Sequence, residues 1–128
     1  MLLRTMVLAA ALAFAAAASA HDPVQTDGDK YKVIFENERV RVLEYTDEPG
    51  QRTTPHAHPD SVMYTLSSFR RRLVSGETQR EVELKAGAVN WLPAQQHHGE
   101  NIGETPTHVI FVELKEGAGD AGGVIGPQ

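Results

Sequence analysis

The chain has 128 residues, a net charge of −5 and no cysteine, which suits one domain and excludes disulfides, thiolate metal ligands and thiol nucleophiles. Its 12 Lys and Arg against 17 Asp and Glu argue against a nucleic-acid surface. Any metal held here must sit on nitrogen or oxygen.

Residues 1–20 read as a secretory signal. Arg4 gives a positive start, Met6 to Ala18 is an apolar run, and Ala18-Ser19-Ala20 is a small-x-small cleavage site. Cleavage after Ala20 and a secreted or periplasmic location are expected, with a mature net charge of −6. No later stretch approaches ~18 consecutive apolar residues, so no membrane span is expected. Residues 21–30 carry Asp22-Pro23 and Asp27-Gly28-Asp29 turn signals and read as an exposed N-terminal arm.

Strands follow in short, regular steps. Tyr31 to Glu36 is the first, and Arg39 to Thr46 the second, with Val40 and Val42 alternating against arginines. Gln51 to His58 reads as extended. Val62 to Leu66 and Phe69 to Val74 follow, then a Ser75-Gly76-Glu77-Thr78 hairpin turn into Gln79 to Leu84. Ala88 to Leu92 ends at Pro93, and Thr107 to Leu114 is the most apolar strand and the expected centre of a sheet. Residues 116–128 read as a Gly-rich C-terminal tail. About eight strands without a convincing helix predict an all-β closed sandwich or small barrel of the jelly-roll kind over residues 31–115. The expected core comprises Val33, Phe35, Val42, Leu43, Val62, Leu66, Leu84, Trp91, Val109, Phe111 and Leu114.

The chemistry concentrates in Pro55-His56-Ala57-His58-Pro59-Asp60 and in Gln95-Gln96-His97-His98-Gly99-Glu100-Asn101. On a strand, His56 and His58 point to one face. If the second cluster meets them, three imidazoles converge on one borderline divalent metal such as Fe, Zn, Mn, Ni or Cu. Asp60 shares their parity, so it is either an imidazole-orienting partner, an oxygen ligand, or a turn aspartate. Arg70-Arg71-Arg72 reads as a solvated face, with an inward arginine as a fork for a carboxylate. His108 reads as packed or surface, and Tyr64 and Trp91 as core aromatics or pocket lining.

These stretches resemble the cupin superfamily. Gly50, His56-Ala57-His58 and then Gly87, Pro93, His97, Asn101 and Gly103 follow its two motifs. More narrowly, Glu38 to Leu43, His56 to Ser61, Phe69 to Arg72 and Gly99 to Gly103 resemble small single-domain cupins (cupin 2 type, RmlC-like) associated with β-alanine degradation. The resemblance implies a metal at His56, His58 and His97, with His98 as the alternative third ligand. It departs at two places. The glutamate of the first motif falls at Val62 or Met63, and the glycine of Pro-x-Gly is Gln95, leaving open whether Asp60, Met63 or Gln95 replaces the missing ligand. A three-histidine face resembles the iron site of thiol-dioxygenase cupins, which implies a dioxygenase-like enzyme on a small molecule. The alternative is a non-catalytic barrel holding a ligand or metal. A homodimer is also implied by resemblance.

Overall fold

The two-residue alternation is realised as nine strands among residues 21–116, which the computed structural model describes. They are β1 (Tyr31–Glu36), β2 (Val40–Asp47), β3 (His56–His58), β4 (Ser61–Thr65), β5 (Phe69–Ser75), β6 (Thr78–Leu84), β7 (Val89–Leu92), β8 (Gln95–Asn101) and β9 (Thr107–Leu114). A five-stranded sheet runs β1-β2-β9-β4-β7, and a four-stranded sheet runs β3-β8-β5-β6. Every pairing is antiparallel. β9 is the centre of its sheet, as its apolar run predicts. The expected signal sequence lies outside the described residues, as does the expected tail apart from Glu116.

Three local expectations change. The extended stretch from Gln51 pairs as a strand only at His56–His58, with Arg52 making one isolated bridge to Glu100. The polar cluster Gln95–Asn101 is a full seven-residue strand. No β-branched residue announces it; its conformation comes from pairing with β3 on one side and β5 on the other. The N-terminal arm is not an exposed arm. Pro23–Thr26 forms one helical turn, α1, capped by Asp22 through the Val24 amide at 2.8 Å. Pro23 and Asp27 are buried there, and the His21 carbonyl accepts from the Ala57 amide at 2.7 Å. The arm therefore closes the edge of the sandwich beside β3.

Register decides which side chains are inside. Tyr31 pairs with Tyr45, Leu43 with Phe111, and Tyr45 with Val109. These five and Phe69 are the buried apolar core. The opposite parity of the same sheet aligns Phe35, Val42, Val112, Val62 and Trp91 in one row across all five strands. The expected core is corrected accordingly. Leu43, Val109 and Phe111 are buried, whereas Val33, Phe35, Leu66, Trp91 and Leu114 are exposed. A register irregularity between Val33 and Phe35 helps turn the end of β1 outward.

Candidate metal centre

β3 and β8 lie side by side in a register that sets His56 against His97 and His58 against Gln95. The three rings of His56, His58 and His97 therefore share the inner face. Their centroids lie 4.8 to 5.3 Å apart. One ligand nitrogen from each falls within 4.8 Å of the others, a group able to hold a metal ion. His98 has the opposite parity on β8, opposite Val74 of β5. Of the two, His97, four residues before Asn101, is thus the inward histidine.

Hydrogen-bond partners fix the tautomers. His56 Nδ1 meets the Thr54 carbonyl at 2.7 Å, His58 Nδ1 meets Glu113 Oε1 at 3.0 Å, and His97 Nδ1 meets Gln95 Oε1 at 2.7 Å. Gln95 donates its amide nitrogen to the Pro93 carbonyl at 2.9 Å, which orients Oε1 toward the ring. All three partners are acceptors, so each neutral imidazole carries its proton on Nδ1 and turns an Nε2 lone pair inward. His56 Nε2 and His58 Nε2 stand 3.1 Å apart. Burial, joined by the neighbouring cations and rings, lowers the pKa of His56 to about 4 and of His97 to about 3, so these two rings are neutral at neutral pH. Three converging lone pairs held from outside are what a borderline divalent cation requires.

The outer supports are largely residues that the sequence did not flag. Glu113 also accepts from Arg41 Nε at 2.8 Å, and Arg41 donates onward to Asp22 at 2.6 Å. This chain ties His58 to the cap of α1. Asp27 accepts from the Thr54 amide at about 3 Å, fixing the peptide whose carbonyl holds His56. The one signal was Glu113 itself, an acid sharing inward parity with Val109 and Phe111 in an apolar strand. Tyr31 places its hydroxyl 3.3 Å from His56 Nε2, and burial keeps its phenol well above the ordinary range.

The other candidates separate cleanly. Asp60 is exposed, and its carboxylate accepts from the Ala94 amide at 2.8 Å; it orients a loop rather than an imidazole. Gln95 holds His97 from behind. Met63 faces inward and Val62 outward, so no carboxylate stands at the place of the missing glutamate. His108 pairs with Glu44 at 2.9 Å, half-exposed. Tyr64 and Trp91 are exposed, not core, and of the two Trp91 also borders the cavity between the sheets. Arg70 and Arg72 bind Glu81 on the surface. Arg71 is the inward member, buried, with Nη1 donating to Asp47 at 2.5 Å and to Thr107 Oγ1 at 3.1 Å.

A cavity of about 420 Å³ opens between the sheets beside the rings, lined in part by His56, His97, Arg71, Met63 and Phe111. That is the size of a small-molecule pocket.

No family model matches the sequence, and no curated protein matches it. Solved structures do. A cupin domain from Bordetella pertussis Tohama I is 28% identical, with a TM-score of 0.63 over 66% of this chain and 91% of that one. A protein with a double-stranded β-helix domain from Klebsiella pneumoniae is 26% identical, with a TM-score of 0.55 over 70% and 78%. At 19% identity and a TM-score of 0.52, the polyketide cyclase RemF from Streptomyces resistomycificus shares the fold over 66% of this chain and 63% of that one. With its two facing sheets, its motif histidines on adjacent strands and these neighbours, the chain has the double-stranded β-helix fold of the cupin structures.

Proposed function

We propose that this chain is an exported, metal-dependent cupin acting on a small molecule, with one divalent transition metal bound by Nε2 of His56, His58 and His97. The supporting observation is the tautomer set: three acceptors behind the rings leave three lone pairs facing one another, with no acidic hydrogen aimed among them except the Tyr31 hydroxyl. When bound, the metal supplies a Lewis-acid centre with open positions, as suits dioxygenase-like or related chemistry. The chain's own residues do the rest. Glu113, Gln95 and the Thr54 carbonyl hold the rings in place. Tyr31 offers a hydroxyl donor beside His56, and Phe111, stacked on His58 with centroids 5.1 Å apart, keeps that flank dry.

Elemental analysis of protein purified from its native compartment tests the reading, run beside a His56→Ala, His58→Ala double variant. About one equivalent of metal, lost in the variant, is expected. No metal even after reconstitution overturns it. N-terminal sequencing of the exported form should begin at His21.

One observation favours a second reading, a non-catalytic ligand-binding barrel. Among the described residues no Asp or Glu lines the cavity, so carboxylate acid–base chemistry has none of them to use there. Substrate-independent metal retention without turnover of any small molecule would decide for it.

The proposal includes a homodimer through the outer face of the five-stranded sheet. Phe35, Trp91, Tyr64, Val89 and Leu114 are each more than two-fifths exposed. With the half-buried Val42, Val62, Ile110 and Val112, they expose on the order of 600 Å² of apolar surface, at the upper end for a monomer and not far below the ~800 Å² per partner of a standard interface. A second copy is the occupant because one row crosses all five strands, and a two-fold axis can lay that row on itself.

A further inference from the structure

The cavity beside the rings has a charge that the chain as a whole does not. The protein is acidic, yet among the described residues Arg71 and Arg80 line the cavity and no carboxylate does. Arg71 stands at the floor, 7% exposed. Its carboxylate partner Asp47 sits behind it, where Tyr45 donates its hydroxyl to Asp47 and Asn101 Nδ2 donates at 3.1 Å. Tyr45 also lies under the guanidinium, with the ring centroid 5.1 Å from Cζ. Both of the Arg71 side-chain bonds, to Asp47 and Thr107, use Nη1. The Nε–Nη2 edge is left over on the cavity side. Gly99 shows where that edge lies: a Cβ there would stand 2.9 Å from Nη2 and 3.4 Å from Nε. Gly99 follows His97 by two residues on the same face of β8, so the free edge and the histidine cluster are about 7 Å apart along one strand.

A second polar group points the same way. Asn90 of β7 shares inward parity with Met63 of β4, lines the cavity, and keeps a buried amide nitrogen with no partner among the described residues. A buried donor without an acceptor costs about 1–3 kcal/mol, which a ligand oxygen recovers. Between these donors the wall is apolar, with Met63, Leu73, Val82 and Leu84.

We propose that the cavity binds a short-chain carboxylate, its carboxylate taken side-on by Nε and Nη2 of Arg71, its body against Leu73, Val82 and Leu84, and its remaining end directed toward the histidines and Asn90. The two parallel N–H groups of one guanidinium edge match the two oxygens of a planar carboxylate. Arg80, exposed at the mouth, draws the anion in. Gly99 is the residue that leaves room for the fork. The carboxylate site rests on the metal reading only for where the far end of the ligand lies.

The test is calorimetric titration of the metal-free protein with butyrate, with butyramide as the uncharged isostere and inorganic phosphate as the tetrahedral anion. Wild type should bind butyrate at least tenfold more tightly than either. Two variants probe the fork. Arg71→Met with Asp47→Asn removes both charges of the pair together, so neither is left buried alone. Gly99→Ala keeps the charges and crowds Nη2, which decides the matter should the double variant fail to fold. Each should weaken butyrate at least tenfold. Equal affinity for butyramide, tighter binding of phosphate, no butyrate binding by wild type, or unchanged affinity in a folded variant overturns the proposal. Metal content measured on the same variants should remain at the wild-type value, so failure of the carboxylate site and failure of the metal site are read separately.

Discussion

The two faces of the five-stranded sheet invert the usual pattern of a soluble sandwich. Its inner face buries Asp47, Thr107 and Glu113 among Tyr31, Leu43, Tyr45 and Phe111, with Arg41 half-buried beside Glu113. Its outer face carries the apolar row from Phe35 to Trp91. Charge is inside because the rings and the cavity need it held in place; each inward charge has a partner at hydrogen-bond distance. Apolar surface is outside because none of the described residues covers it. The inner face thus stores its specificity in paired charges, and the outer face leaves apolar area for a partner.

The largest effect should come from breaking the inner pairing. Glu113→Ala leaves Arg41 half-paired and His58 Nδ1 without its acceptor, and should destabilise the fold by about 3–5 kcal/mol in urea titration. It should also weaken metal binding by roughly 10–100-fold. A loss below about 1 kcal/mol would mean that the Glu113 chain is slack. The next comparison uses neighbours in β2. Leu43 is fully buried, and Leu43→Ala should cost about 3 kcal/mol. Val42, one residue away on the outer face, should cost about 1 kcal/mol or less as Val42→Ala, measured at concentrations where the protein is monomeric.

The inner face should also set the acid limit. Folded His56 and His97 take protons only near pH 4 and 3, whereas an ordinary imidazole does so at 6.5. Protons therefore begin to compete with the metal well below pH 6. The metal should stay bound at pH 5, where a site of unperturbed imidazoles would have released most of it, as followed by dialysis and elemental analysis. The metal-free protein should behave differently. Its unfolded rings protonate at 6.5 and its folded rings do not until about 4 and 3, so the unfolded state binds more protons across that window. Stability contributed by the neutral rings is complete above pH 6.5 and should fall as pH drops from 6.5 toward 4.

The alternation of Val40 and Val42, the spacing of His56 and His58, and the apolar run of β9 were enough to read an all-β sandwich and a histidine pair. The third histidine was legible only through the cupin resemblance, which left His98 as the alternative to His97. What was not legible depends on partners distant in sequence. β8 has the composition of a loop and becomes a strand only because β3 and β5 flank it. Asp22, Asp27, Arg41 and Glu113 look like ordinary surface charges until the pairing of β2 with β9 and the packing of α1 turn them toward His56 and His58. Trp91 and Phe35 were assigned to the core because large apolar residues usually bury. Register sent them outward, since a strand's parity, not its composition, selects the face. Arg71 shows the reverse: one of three arginines in a row, its inward side fixed by pairing with Asn101 and Val82.

The smallest effect on stability should accompany a change in assembly. Trp91 is 56% exposed at the end of the outer row. Trp91→Lys removes little packing from the single copy, so the fold should change by no more than about 0.5 kcal/mol. On a two-fold interface the same change acts twice, because each copy presents its row to the other, and a lysine there places its charge against the Phe35 and Val62 surface without a carboxylate opposite. Sedimentation velocity should show wild type as a dimer at micromolar concentration and the variant as a monomer. Wild type sedimenting as a monomer would remove the second copy from the outer face. A variant that remains dimeric would move the interface elsewhere, and the apolar row would then have no role in self-association. Because the rings, Glu113 and Arg71 all lie on the other side of the sheet, metal content should be equal in monomer and dimer, and this separates the two faces most directly.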